Sequence, residues 1–210
     1  MQKIYIALVD TPGLFAWMIR RVIKINYIHV VLSLDEEFTQ AYSIGRRNPF
    51  LPLFAGFERE NIYRIYRAFP TARYKVYTID CTQQQKENIF FQLRECYRQR
   101  FRYHYCIIGL FYLLAGKPFY QKRHYTCSSF LARILEEHHV LTFSKHFSLV
   151  TPRDFYELEK QEVIFEGSLR ELCIQIDAQR LSHSWIHFGA DSTGQNCDEY
   201  SALYYGGILP

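Results

Sequence analysis

The apolar and polar positions along the chain predict a mixture of strands and helices. Short runs rich in β-branched and aromatic residues predict strands at residues 3–9, 27–34, 38–44, 61–67, 74–81 and 163–165. The turn-like sequence Asp35-Glu36-Glu37 separates the second and third runs. These two strands are therefore expected to form a β-hairpin.

Apolar residues at helical spacing predict helices at 14–25, from Thr82 onward, at 126–138 and, briefly, from Thr151. The run 106–115 is apolar throughout, and we expect it to be a buried segment. It is shorter than the roughly 20 residues of a membrane span. Together these elements predict an α+β fold in which helices pack beside a mainly antiparallel sheet.

Composition narrows the class of protein. Hydrophobic residues make up 49% and charged residues 22% of the 210, which is typical of a globular chain. The net charge of +4 does not require nucleic acid as a partner, and six scattered cysteines without a CxxC pair are expected to be reduced thiols.

Asp10, Pro12 and Gly13 interrupt the apolar N-terminus, so no signal peptide is expected. We therefore expect a soluble cytoplasmic protein, with one domain at 1–180 and an extension of unassigned role at 181–210.

Cys127 is the strongest candidate for chemistry. Thr126 is a natural N-cap, which places Cys127 in the first turn of a helix. The free N–H groups and the helix dipole at that position favour a thiolate. The apolar residues Phe130 and Leu131 follow on the same face, so the sulfur is expected to point toward the sheet. A small buried core thiol is the alternative interpretation.

His29 is the candidate partner of this cysteine. In the strand 27–34, Ile28, Val30 and Leu32 share one aliphatic face, and His29 lies on the other, more polar face. A cleft is expected on that side. A histidine close to a cysteine in space is the usual way to activate a thiol.

These two motifs carry a resemblance to a known family. The stretches His29-Val30-Val31-Leu32-Ser33, Tyr42-Ser43-Ile44-Gly45 and Tyr125-Thr126-Cys127-Ser128-Ser129-Phe130 resemble circularly permuted NlpC-like, papain-like proteins, a group that includes lecithin retinol acyltransferase and permuted bacterial amidases. In the permuted members the histidine strand precedes the cysteine helix, as here. The resemblance covers roughly residues 3–140. It implies a permuted papain-like fold in which the sheet packs against the cysteine helix.

The resemblance also implies roles for individual residues. Cys127 is the expected nucleophile and His29 its base. Ser43 lies where the family has a residue that orients the histidine, usually His, Glu, Gln or Asn; Gln40 is the alternative. The Asp and Gly that usually flank the Cys-Ser pair are replaced by Thr126 and Ser129.

The expected reaction is acyl transfer through a thioester, on an amide or ester of a small molecule, peptide or acyl substrate. The residues expected to bind the oxyanion or substrate are Tyr125, Ser128 and Arg46. The rival interpretations are a ligand-binding module with little turnover and a lipid-acyl enzyme. No cofactor and no metal are expected, because the pairs His138-His139 and His183-His187, the latter near Cys197, do not have a recognised ligand spacing.

Overall fold

The computed structural model describes residues 1–47, 55–159 and 162–188. The strands are β1 (Gln2–Asp10), β2 (His29–Ser33), β3 (Ala41–Arg46), β4 (Ala55–Arg59), β5 (Arg73–Cys81), β6 (His104–Tyr105), β7 (His124–Tyr125) and β8 (Glu162–Ser168). The helices are α1 (Leu14–Ile23), α2 (Ile62–Ala68), α3 (Gln83–Arg98), α4 (Ile107–Leu114), α5 (Cys127–Glu137), α6 (Pro152–Tyr156) and α7 (Leu169–Phe188). The α+β class predicted from the sequence is confirmed.

Six strands form one sheet in the order β4-β3-β2-β1-β5-β8. Every neighbouring pair in this sheet is antiparallel. The predicted hairpin between β2 and β3 is confirmed, with Leu32 opposite Tyr42. β6 and β7 pair separately in parallel, and β7 ends just before the cysteine helix α5.

Both faces of the sheet are buried at its central strand β1. Along β1, Ile4, Ile6 and Leu8 pack into one cluster with residues of α3, α5 and α6. Ala7 and Val9 alternate with them and pack into a second cluster with residues of α2 and α7. The sequence predicted a polar second face for β2, and this was wrong at Val31, which is 1% exposed and belongs to the second cluster.

The segment 61–67 is a helix rather than the predicted strand. Asn61 caps α2, because its side chain accepts a hydrogen bond from the Arg64 N–H. The apolar residues that suggested a strand, Ile62, Ile65 and Tyr66, all pack into the second cluster. Ile65 and Tyr66 lie three and four positions after Ile62, which is helical spacing.

The prediction that 106–115 is buried was wrong for most of its length. This segment forms α4, and none of the eight residues of that helix is buried. Ile108 is 56% exposed and Phe111 is 69% exposed. Among the described residues, no helix is long and apolar enough to cross a membrane.

The internal contacts divide the chain into two units, Met1–Ile176 and Asp177–Pro210. The first unit contains the sheet and the start of α7. In the second unit, residues 177–188 are helical.

Candidate active site

Cys127 is the first residue of α5, as the sequence predicted. Thr126 is the N-cap: its Oγ1 accepts the Ser129 N–H at 3.1 Å, and Ser129 Oγ accepts the Thr126 N–H at 2.9 Å. This reciprocal pair is a capping box in which Ser129 takes the place of the more usual Glu or Gln. The box fixes the start of the helix, and thereby the position of Cys127, which is only 4% exposed.

His29 is the first residue of β2 and pairs with Val9 of β1. Its imidazole lies next to the Cys127 side chain, close enough for the two groups to interact electrostatically, and both residues line the same cavity. The two residues are 98 positions apart in the chain, and they meet because α5 packs against β2. The structure thus brings together the two residues that the sequence motifs singled out.

The third polar residue of the site is Glu60, which the sequence analysis missed. His29 Nε2 lies 3.1 Å from Glu60 Oε1. Glu60 follows β4 directly, and its backbone N–H donates to the Ala41 carbonyl at 2.8 Å, which holds it against β3. A carboxylate in this position orients the imidazole and stabilises its protonated form.

The expectation that Ser43 contacts His29 is therefore corrected. Ser43 is fully buried, and its hydroxyl donates to the same carboxylate oxygen of Glu60 that faces His29. Ser43 therefore contacts Glu60, and Glu60 contacts the imidazole, whereas the place of Ser43 in the motif implied a direct contact with His29. Gln40 lies in the turn before β3, where its backbone N–H donates to Asp35.

The charges of Cys127 and His29 stabilise each other. Burial disfavours both charged forms, but their mutual attraction outweighs burial. The pKa of the Cys127 thiol is lowered, and the backbone N–H groups of Val30 and Ser128 also contribute to this shift. The pKa of His29 is raised to about 10, by Cys127 first and then by Glu60. Both shifts favour a thiolate–imidazolium pair over the neutral thiol and neutral imidazole.

Glu60 remains ionised in this setting. Burial opposes its charge, but hydrogen bonds from His29 and Ser43 and the positive charges of His29 and Arg46 lower its pKa. A buried ion pair persists only when its remaining polar groups are satisfied. Here the Ser43 hydroxyl and the guanidinium of Arg46 supply that support.

Cys127 differs from Cys81, Cys96 and Cys106 in the direction of its pKa shift. Burial raises the pKa of Cys81, Cys96 and Cys106, whereas the pKa of Cys127 is lowered. All four are buried, with 3% to 6% of their surface exposed. Accessibility in the folded state therefore does not distinguish these thiols, but their charge environments do.

The remaining candidates have different surroundings. Tyr125 does not line the cavities beside Cys127; its hydroxyl accepts a hydrogen bond from Arg133 Nη1 at 2.7 Å, and its ring packs against Phe130. The expected oxyanion role of Tyr125 is thus replaced by a packing role. Ser128 donates its hydroxyl to the Val150 carbonyl at 2.7 Å, so its contribution to Cys127 comes from its backbone N–H.

Arg46, which the sequence analysis named as a candidate for binding the oxyanion or substrate, does lie at the site. It ends β3 and lines the same cavity as Cys127, His29 and Glu60. Its Nη2 donates to Thr11 Oγ1 at 3.1 Å, and its guanidinium lies 4.9 Å from the centre of the Phe69 ring. Burial lowers the pKa of Arg46 from its usual value.

Tyr105 is a further residue that the sequence analysis did not single out. It lines both cavities next to Cys127. Its pKa is raised, first by burial and then by the negative charge of Cys127. It belongs to β6, directly before the apolar run, and nothing in the local sequence marked it.

Cys127 lies between two cavities. The first, of about 100 Å³, is lined by His29, Glu60, Arg46 and Thr11 along with apolar residues. The second, of about 250 Å³, lies between α1 and α4 and has no charged residue in its lining apart from the thiolate itself. Its apolar walls are formed by Ile19, Ile23, Ile28, Ile107, Leu110, Phe111, Leu113 and Leu114.

Within the described part of the chain, no group of three or more His, Cys, Asp or Glu side chains is placed to hold a metal ion. The side chains of His183 and His187, and all of Cys197, lie outside the described residues.

Comparison with known proteins gives no match: no protein-family model, no curated protein and no solved structure is significantly similar to the chain.

Proposed function

We propose that this protein is a cysteine-dependent hydrolase or acyltransferase with a permuted papain-like fold. The observation that carries the proposal is the largely buried row Cys127–His29–Glu60, in which His29 lies next to the thiol and within 3.1 Å of the carboxylate, the pKa of the thiol is lowered and the pKa of the imidazole is raised. A nucleophile next to a base, which is itself oriented by a third group, is the arrangement that nucleophilic catalysis requires. The order of the histidine strand and the cysteine helix along the chain supports the permuted fold.

The proposed reaction has two halves. The Cys127 thiolate attacks the carbonyl carbon of an amide or ester, and the carbonyl electrons move to oxygen. When the carbonyl re-forms, the C–N or C–O bond breaks and His29 gives its proton to the leaving amine or alcohol, which leaves a thioester. Water or another acceptor then attacks the thioester while neutral His29 accepts its proton. The C–S bond breaks, and the thiolate–imidazolium pair is restored.

Glu60 and Ser43 support the Cys127–His29 pair in this proposal. Glu60 keeps the imidazole oriented and stabilises its charge, and Ser43 holds Glu60. The backbone N–H of Cys127, at the start of α5, is the proposed donor to the tetrahedral oxyanion, because a helix start has N–H groups without partners inside the helix.

The apolar cavity favours one substrate class within this proposal. It reaches Cys127 and offers only apolar walls between α1 and α4. An acyl group with an aliphatic chain would bury that chain there, and each buried methylene contributes about 0.8 kcal/mol. Amides and esters of apolar acids are therefore the preferred candidates.

Thiol reactivity tests the proposal directly. The protein would be treated with iodoacetamide across roughly pH 5 to 10, and labelling of each cysteine read by peptide mass spectrometry. Cys127 should react well below pH 8, while Cys81, Cys96 and Cys106, with raised pKa values, should react only at alkaline pH. Because these thiols are equally buried, they are matched internal controls. If Cys127 labels no faster than they do, a ligand-binding scaffold replaces the enzyme.

Turnover should have a different pH dependence from labelling. Alkylation needs only the thiolate, so it should persist above pH 10. Acyl transfer also needs the His29 proton for the leaving group, and that proton is lost as the pH rises through about 10, the pKa of His29.

The thioester intermediate can be detected directly. Incubation with p-nitrophenyl octanoate should add an octanoyl group to Cys127. Intact-mass spectrometry would detect this group and its removal by hydroxylamine.

A further inference from the structure

The helix α4 does not fit the usual relation between composition and burial. Its eight residues, Ile107–Leu114, include no charged side chain, and helices that are apolar all round are normally buried. Here Ile108, Phe111 and Leu114 are 56%, 69% and 61% exposed. Exposed large apolar groups in this density mark an interaction site rather than ordinary surface.

The length and position of α4 limit what its partner can be. Eight helical residues extend for about 12 Å, which is far short of a membrane span but sufficient for a helix lying in the interface of a bilayer. α4 also forms a wall of the apolar cavity that reaches Cys127, and Phe111 and Leu114 both line that cavity while remaining largely exposed. The exposed patch and the cavity therefore share side chains.

The two sequence segments that contain the helical walls of the apolar cavity carry basic residues and no acidic ones, although Arg20, Arg98 and Arg133 pair with carboxylates from outside these segments. Residues 96–135, which contain α4, include seven basic residues and no acidic one. Residues 11–34, which contain the opposite cavity wall α1, include three basic residues and no acidic one. The rest of the chain carries all 21 acidic residues. Exposed Arg21, Lys24, Lys117 and Lys122 are among these cations. A partner that meets both the apolar helix and these cations must be apolar inside and negatively charged at its surface.

We propose that α4 docks the protein on anionic lipid bilayers, with Ile108, Phe111 and Leu114 inserted among the headgroups and the flanking Lys and Arg residues in contact with lipid phosphates. Burying apolar side chains and neutralising anionic lipid are the two contributions that hold interfacial helices on a membrane. Docking is independent of the proposed chemistry at Cys127, so either proposal can fail without the other. It would place the mouth of the apolar cavity at the lipid surface.

Vesicle co-sedimentation of the full chain tests this proposal. Vesicles of phosphatidylcholine alone would be compared with vesicles that also contain phosphatidylglycerol. We expect binding to the anionic vesicles that weakens as salt is added. The double variant Ile108→Ser/Phe111→Ser should bind at least about tenfold more weakly, and Lys117→Gln should weaken anionic binding about fivefold.

Matched control variants distinguish docking through α4 from nonspecific binding by exposed apolar side chains. Phe91 of α3 is 62% exposed, close to the value for Phe111, so Phe91→Ser should bind like the wild type. Cys127→Ala should also bind like the wild type, which separates docking from the thiol chemistry. Because these apolar side chains are exposed, their loss should not unfold the chain, and circular dichroism would verify this.

A fluorescent reporter locates the helix directly. In a chain that carries Trp17→Phe and Trp185→Phe, Phe111→Trp supplies a lone indole on α4. Its emission should shift to the blue on anionic vesicles and be quenched by brominated lipid, whereas Phe91→Trp in the same background should show neither effect.

Several outcomes would overturn the proposal. The first is that the wild type does not bind anionic vesicles. The second is that Ile108→Ser/Phe111→Ser binds them as tightly as the wild type. The third is that the emission of Phe111→Trp does not change when these vesicles are added. Concentration-dependent dimerisation that Ile108→Ser/Phe111→Ser abolishes would assign the patch to a second copy of the chain. Vesicle binding that appears only after deletion of residues 189–210 would assign it to that segment.

Discussion

The two cavities that meet at Cys127 have opposite characters. One is lined by the ionised side chains of His29, Glu60 and Arg46, and the other by aliphatic and aromatic groups of α1 and α4. The polar cavity lies at the ends of strands β1 to β4. The apolar cavity is bounded by α4, whose side chains are largely exposed.

This contrast shows how the fold separates chemistry from substrate binding in the proposed enzyme. The charges depend on specific partners, because a buried ion that loses one partner is left uncompensated. The apolar walls depend only on shape and area, which are shared among many side chains. A single substitution should therefore reduce activity strongly in the polar cavity and only slightly in the apolar one.

The largest effect is expected from His29→Ala. Without the imidazolium, the Cys127 thiolate loses its counter-charge, and its pKa should rise toward that of an ordinary buried thiol. Alkylation at pH 7 should fall about 100-fold, and acyl transfer at least as much. The rate of iodoacetamide labelling, measured against pH, reports both changes.

His138 offers a control for this substitution. It is also partly buried and hydrogen-bonded to a side chain, Gln92, but it lies at the other end of α5 from Cys127. His138→Ala should leave the labelling of Cys127 unchanged. Equal rates for His29→Ala and the wild type would mean that the helix start alone sets the reactivity of Cys127.

A smaller effect is expected from Glu60→Gln. The amide keeps the shape but removes the negative charge that helps to raise the pKa of His29. The alkaline limit of turnover should therefore move to lower pH, and kcat should fall about tenfold, as for the loss of one charged hydrogen bond. Titration of the imidazole by NMR would measure the pKa itself.

Ser43→Ala is the matched comparison for Glu60→Gln. It removes the hydroxyl that donates to Glu60 but leaves the carboxylate next to His29. Its effect on the alkaline limit should have the same direction and a smaller size. If Ser43→Ala has the larger effect, Ser43 rather than Glu60 determines the state of the imidazole.

The smallest effect is expected from filling the apolar cavity with Leu110→Trp. The larger side chain should obstruct long acyl chains, so acylation by p-nitrophenyl octanoate should fall about tenfold relative to p-nitrophenyl acetate. Leu141→Trp, at a partly buried leucine that lines a separate cavity near Tyr77, is the control. An unchanged ratio of the two ester rates in Leu110→Trp would exclude this cavity as the acyl site.

The sequence by itself determined the local features of this protein. The capping residue Thr126 predicted where α5 begins and therefore that Cys127 lies at a helix start, because capping depends on neighbours within a few residues. Alternation in 27–34 predicted the strand that carries His29, and the turn at Asp35 predicted its hairpin partner. The sequence prediction was wrong at residues 61–67, where β-forming side chains occur at helical spacing. The N-cap at Asn61 favours the helix that the structure has there.

Only the tertiary structure decided which distant side chains meet. Glu60 reaches His29 because β3 and β4 pair in a register that places Glu60 beside Ala41, and no local pattern encodes that register. The same applies to the exposure of α4: an apolar composition predicts burial only where another element covers the helix. In the described part of the fold, most of the surface of Ile108, Phe111 and Leu114 remains uncovered. Burial and charge pairing are properties of contacts between elements, and these contacts exist only after the chain has folded.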